Sequence, residues 1–302
     1  MVNRTFFARG LASPHNAGCV QVIAARPWSF SAAVIPVWLT AALMRQTEGL
    51  PIMGWPFLQA LVMAVLVQAG ANLINSLVDF QMGVDTEASS GDRCLVDRTV
   101  TPRGVLLVGI VCFAGATAIM APHLLAGGAA VVSIYVAGTA LSLLYTAAPV
   151  SLKYRALGDV TIFVCFGPLL MQCTALLLTG RLQLWTMPYA VPVALLTECI
   201  LHANNARDIY QDMKAGISTL ATVIGFRNSQ WLYCAMVGAS YVTAAALAAG
   251  RFWGCGLVAL TLPMAYAVMR DFEPKSMHNM DERTAQLHLL FGVLLSIGVT
   301  IS

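Results

Sequence analysis

The chain runs from Met53 to Val78 without one charged side chain and then meets Asp79 and, a short way on, Asp85. An uncharged apolar stretch of this length can cross a bilayer core, which takes roughly 20 helical residues. Inside hydrocarbon the backbone must satisfy its own hydrogen bonds, and this confines such a chain to packed helices. The composition extends the constraint to the whole chain. It is 58% hydrophobic and 10% charged, where soluble domains carry about 25% charged residues. The expected fold class is all-α, a polytopic membrane protein. Apolar stretches predict nine transmembrane helices, at 28–45, 56–79, 104–121, 125–147, 157–178, 187–206, 230–249, 252–269 and 285–301.

Charge sorts cleanly on that nine-span reading. All Lys and Arg except Arg45, Arg181 and Arg251 fall on the side that holds the N-terminus and the even-numbered loops. Positive charge collects on the cytosolic side of membrane proteins, so the N-terminus and a polar cap are expected to face the cytosol. Nearly all acids share this face; Glu48 lies opposite and Glu198 within a span. The basic loops are explained by topology, and no nucleic-acid partner is expected. The cysteines form no CxxC and no zinc-like cluster with histidine. Residues 1–24 are expected to be a short tail and 25–302 a single membrane domain. A mitochondrial presequence is the alternative reading of the tail, since Arg4 and Arg9 stand there without an acid nearby.

Two acidic clusters end apolar spans on the charged face. In NLINSLVDFQMGVD, Asn75 and Asp79 are four apart and share a helical face. Gly83 is a natural helix stop and lets Asp85 swing back toward Asp79. In ECILHANNARDIYQDMKAGIST, Asn204, Asp208 and Asp212 recur every four residues, on one face of a continuous helix. Adjacent carboxylates repel unless a cation neutralises them. Hard oxygen donors favour Mg2+ or Ca2+, and Mg2+ typically joins one or two carboxylates to substrate phosphates. Two such sites facing each other would clamp a diphosphate. Arg93, Arg98, Lys153 and Arg155 are candidate phosphate ligands from the neighbouring loops. Glu198 and His202, four apart and deeper in a span, either hydrogen-bond one another or line an acceptor pocket. Phe80, Tyr145 and Phe166 are candidates to flank a cation.

These stretches, with ARPWSFSAAVIPV, DRCLVDR, LYTAAPVSLKYRALGD and RTAQLHLLFG, resemble the UbiA superfamily of intramembrane aromatic prenyltransferases. The resemblance runs from about residue 24 to 292 and is closest to animal members that make menaquinone-4. It implies helices around a central cavity. Asn75, Asp79 and Asp85 match the first metal–diphosphate motif, with Asn72 beside them. Asn204, Asp208 and Asp212 match the second, with Asn205 and Arg207 beside them. Asp92 and Arg93 match a cap-loop motif, and Tyr145, Lys153, Gly158 and Asp159 match the loop between the fourth and fifth spans. The implied activity is Mg2+-dependent transfer of a prenyl group, geranylgeranyl, from its diphosphate to a reduced naphthoquinone, menadiol. The implied site is the endoplasmic reticulum or Golgi membrane. Two alternatives stay open. One is another acceptor, such as 4-hydroxybenzoate or a haem vinyl group. The other is a prenyl-diphosphate sensor acting on HMG-CoA reductase, a partner that the same resemblance implies.

Overall fold

The structure, a computed structural model, describes residues 25–83 and 94–302. The tail 1–24 and the candidates Asp85, Asp92 and Arg93 lie outside the described residues. The regular elements among the described residues are all helices, with no strand apart from one isolated bridge between Arg155 and Ser218. The main helices are α1 (Ser31–Glu48), α2 (Trp55–Gln81), α3 (Pro102–Ala126), α4 (Gly128–Leu144), α5 (Gly158–Thr179), α6 (Met187–Arg207), α7 (Phe226–Ala249), α8 (Trp253–Arg270) and α9 (Met280–Ile301).

Seven of these, α2, α3 and α5 to α9, are long and apolar enough to cross a membrane. The other two expected spans are present as helices but fall short of that measure. α1 carries Arg45 and Glu48 in its last turn, and α4 has 17 residues, about 25 Å at 1.5 Å per residue. Two starts differ from expectation. α7 begins at Phe226 rather than 230, and α9 at Met280 rather than 285. In both, polar residues that resemble loop form the first helical turn. In α9 these are Asp281 and Glu282, and acids suit a helix N-terminus because its amide groups point outward there.

α1, α6 and α9 pack together at the centre, with Ile35, Leu39, Leu196, Phe291 and Leu295 fully buried between them and their neighbours. α2 lies along α3 and touches α1 and α5. Small residues set the closest approaches, as is usual when helices pack in lipid without a hydrophobic drive between them. A Cβ placed on Gly167 of α5 would stand 2.6 Å from the Ala194 Cβ of α6. The outer faces present Leu107, Ile110 and Val111 of α3, Val242 of α7 and Leu260 of α8.

α5 is not regular. Cys165–Leu169 form a π-helical turn that contains Pro168. Proline has no N–H and crowds the carbonyl four residues back, and such π turns concentrate at functional sites. This one turns Cys165, Phe166 and Leu169 into a central cavity.

Candidate active site

The cavity measures about 230 Å³. Its apolar wall includes Met63 and Val67 of α2, Ile134 of α4, Ile162, Phe166 and Leu169 of α5, and Leu201 of α6. Polar groups converge on it from several elements: Arg26, Asn75, Tyr145, Lys153, Asn204 and Asp281. Mostly apolar lining with a few placed polar groups is the usual anatomy of a small-molecule site.

The first acidic cluster closes α2. The helix ends at Gln81, and Gly83 adopts φ 72°, the expected left-handed stop. Asn75 and Asp79 are both buried. Lys153 Nζ donates to Asp79 Oδ2 at 2.7 Å and to Asn75 Oδ1 at 3.3 Å. Tyr154 donates its hydroxyl proton to Asp79 Oδ1 at 2.5 Å. Both partners come from the α4–α5 loop, where Ser151 is left-handed and Leu152–Tyr154 make one 3₁₀ turn. Gly158 lets that loop close. A Cβ there would lie 3.3 Å from the Tyr145 ring and 3.4 Å from Lys153 Cα.

The second cluster ends α6, and here the expected continuous helix is interrupted. α6 stops at Arg207, Asp208 stands in the break, and a short helix follows at Ile209–Lys214. The Asp212 N–H still bonds the Asp208 carbonyl at 2.9 Å, which keeps the two four apart. Arg207 is a clamp. Its Nε and one terminal nitrogen each reach an Asp208 oxygen at 2.8 Å, and that nitrogen also reaches Asn204 Oδ1 at 2.6 Å. Its other nitrogen lies 3.2 Å from Asp281 of α9.

Asp212 shows that the two clusters are electrically one site. Burial pushes its carboxyl up to about 6; Lys153 pulls it down, while Asp208 and Asp79 push it further up. A buried carboxylate repelled by one from each motif is a place short of positive charge. The donors are hard oxygens only, so the residues present fit Mg2+.

The other candidates separate. Asn72 lines the cavity, but its amide is spent holding the chain before α1, donating to Ala25 O at 2.8 Å and Ser29 Oγ at 3.0 Å. Asn205 is buried beside Asn204. Arg98 is exposed on the turn after residue 93, and Arg155 is exposed and caps its own loop through Pro149 O at 3.2 Å. Neither lines the cavity. Tyr145 and Phe166 do, whereas Phe80 packs with Leu73, Leu77 and Leu95. Glu198 and His202 do not bond one another. His202 reaches Asp159 at 3.1 Å and the Ser229 carbonyl at 3.2 Å, because those groups, on α5 and α7, face its ring. Arg26, Tyr154 and Asp281 were not among the expected site residues. Tyr154 adjoins Lys153 in sequence, which was the available signal.

Residues 33–292 match the UbiA prenyltransferase family. The chain is 38% identical to the UbiA prenyltransferase domain-containing protein 1 of Gallus gallus, over 97% of this chain and 89% of that one. It is 38% identical to the human protein of that name, over 93% and 83% respectively, and 32% identical to the Dictyostelium discoideum one, over 93% and 87%. In three dimensions it resembles a UbiA homologue from Archaeoglobus fulgidus bound to GPP and Mg2+. The TM-score is 0.67 at 14% identity, over 94% of this chain and all of that one. It also resembles a digeranylgeranylglyceryl phosphate synthase, with TM-score 0.63 at 13% identity, over 95% and 99%.

Proposed function

Because the chain belongs to the UbiA prenyltransferase family, we propose that it transfers a geranylgeranyl group from its diphosphate to menadiol, giving menaquinol-4, the reduced form that a separate two-electron oxidation turns into menaquinone-4. The observation that carries this reading is the meeting of two acidic motifs with Lys153 and Arg207 beside an otherwise apolar cavity. A diphosphate head needs the first and a polyprenyl tail the second. The Archaeoglobus homologue, solved with GPP and Mg2+, supports the same pairing of head and metal.

Asn75, Asp79, Asn204, Asp208 and Asp212 would hold Mg2+, which supplies charge neutralisation for a diphosphate leaving group. Lys153 and Arg207 already sit against those carboxylates and add cationic donors for phosphate oxygens. The allylic C–O bond breaks with its electron pair leaving on the diphosphate. The ring carbon of the hydroquinone then bonds to the allylic cation, and the ring loses a proton. Phe166 and Tyr145 line the space in which that cation forms, and the apolar wall excludes water that would otherwise capture it. Such chemistry needs an electron-rich ring, so the hydroquinone reacts and the quinone does not.

The test is product formation by purified protein. Geranylgeranyl diphosphate is supplied with menadione, with and without dithionite, or with 4-hydroxybenzoate, and products are identified by mass. Menaquinol-4 formed only under reduction, and recovered as menaquinone-4 after oxidation in air, is the expected result. Faster prenylation of 4-hydroxybenzoate would overturn the acceptor assignment, and binding of prenyl diphosphate without turnover on either acceptor would overturn the enzymatic reading.

A further inference from the structure

Behind the cavity, and apart from both acidic motifs, lies a second polar cluster buried among the helices. Asp159 at the start of α5 and Glu198 and His202 on α6 are each at most 5% exposed. Among the described residues these three form a group whose ligating atoms all lie within 4.8 Å of one another.

The hydrogen bonding of this group is incomplete. The Ser229 carbonyl can only accept, so His202 Nε2 must carry the hydrogen that spans their 3.2 Å contact. A neutral imidazole then directs its lone pair from Nδ1 toward Asp159 Oδ1, 3.1 Å away, and a carboxylate there is also an acceptor. Glu198 is in the same condition. Both of its oxygens, and Asp159 Oδ2, are buried, and the polar side chain they face is that of Asp159, itself a carboxyl. Lone pairs from three side chains thus converge in a low-dielectric interior, where an unpaired carboxylate costs several kcal/mol.

We propose that Asp159, Glu198 and His202 bind one divalent transition-metal ion of the zinc class, separate from the Mg2+ sites of the two acidic motifs. One proton between the carboxylates would leave Nδ1 facing an acceptor, and matching the group without metal takes a second proton, on Nδ1, to set an imidazolium against Asp159. A divalent ion matches both carboxylate charges and the imidazole lone pair together. An imidazole ligand selects zinc-like metals over Mg2+. The outer contact is also the one such ligands make, since a metal-bound histidine usually donates its second N–H to a carbonyl or carboxylate. Tetrahedral zinc with ligand bonds of about 2.0–2.1 Å brings ligand atoms to roughly 3.4 Å apart, so the three side chains need only a small inward rotation. The ion would tie α5 to α6 and, through Ser229, α6 to α7. It is independent of which acceptor is prenylated.

The test uses the full chain in detergent, stripped with chelator and equilibrated with excess Mg2+ so that the oxygen-only sites are filled. Zinc is added, unbound metal is removed by gel filtration, and zinc per chain is measured by mass spectrometry. One zinc per chain is expected for the unaltered protein and for Asp79→Ala and Asp208→Ala, with loss of that zinc in Glu198→Gln. X-ray absorption on the unaltered protein supplies a readout that needs no variant. It should show a nitrogen and oxygen shell with one imidazole. A zinc-free unaltered protein, zinc that persists in a folded Glu198→Gln, zinc that leaves with Asp79 or Asp208, or sulfur in the shell would each overturn the proposal.

Discussion

Asp212→Asn should make the metal-free protein more stable, an unusual outcome for a change at a proposed metal ligand. The Asp212 side chain is buried and its carboxyl is pushed from 3.8 up to about 6. Between those two values the folded chain binds more protons here than the unfolded chain does, so stability falls as pH rises through the window. The penalty is complete above about 6 and absent below about 3.8. At about 1.4 kcal/mol for each tenfold change in proton affinity, it amounts to about 3 kcal/mol at neutral pH. Asparagine removes the charge and keeps an oxygen that can still accept from Thr219, which bonds Asp212 in the native protein. The assay is thermal unfolding in detergent with chelator, for both proteins, at a series of pH values. The variant should melt several degrees higher at pH 7.5, and the gap should close as pH approaches 4. With Mg2+ and a prenyl diphosphate added, the order should reverse, because the native carboxylate gains a counter-ion and the amide does not. A variant that melts at or below the native protein at pH 7.5 in chelator, by a margin independent of pH, would refute the argument.

Asp79→Ala and Asp208→Ala should each abolish turnover while leaving the gel-filtration profile unchanged, and chelator should silence the native protein reversibly; full activity in chelator would remove the metal from the mechanism. Gly138 lines the cavity, and a Cβ there meets nothing within 4 Å, so Gly138→Leu should fold and shift preference toward shorter prenyl diphosphates, read as relative kcat/KM across a donor series. Asp281→Asn loosens the Arg207 clamp from its α9 side and should raise KM for the prenyl diphosphate about tenfold, as a loss near 1.4 kcal/mol would, with an unchanged KM counting against that role. Lys214→Cys should react with an impermeant thiol reagent only from the cytosolic side in oriented vesicles; labelling from the opposite side alone would overturn the proposed orientation.

Much of the helical order was legible because charge is scarce. Where charge ends a span, as after Val78, the boundary fell within a few residues of the observed one. Where polar residues open a helix the reading failed. Arg227, Asn228 and Ser229 resemble a loop, yet they begin α7, and Ser229 is buried because its carbonyl serves His202. Within the site, spacing alone paired Asn75 with Asp79 and Asn204 with Asp208, since four residues is one helical turn. It could not pair Asp79 with Lys153 or Arg207 with Asp281. Those contacts join helices and loops distant in sequence, and a single chain carries no periodic signal for them. The same limit made Glu198 and His202 look like partners. They do share a face, but the groups their rings and oxygens meet belong to other helices.

Asp79 with Lys153, and Asp208 with Arg207, reach the site already matched in charge. Under the proposed function, loading is an exchange of counter-ions, as on an ion-exchange resin. Lys153 and Arg207 would release their carboxylates to a cation, and each freed group could then donate to a phosphate oxygen. Neither arrival alone is well received, because metal without diphosphate strands a cationic side chain and diphosphate without metal strands a carboxylate. Arriving together, the two leave the local charge almost as they found it. A pocket of this kind discriminates by pairing, and it would hold the metal–diphosphate complex at concentrations too low to load either free metal or free pyrophosphate, each of which needs a large excess.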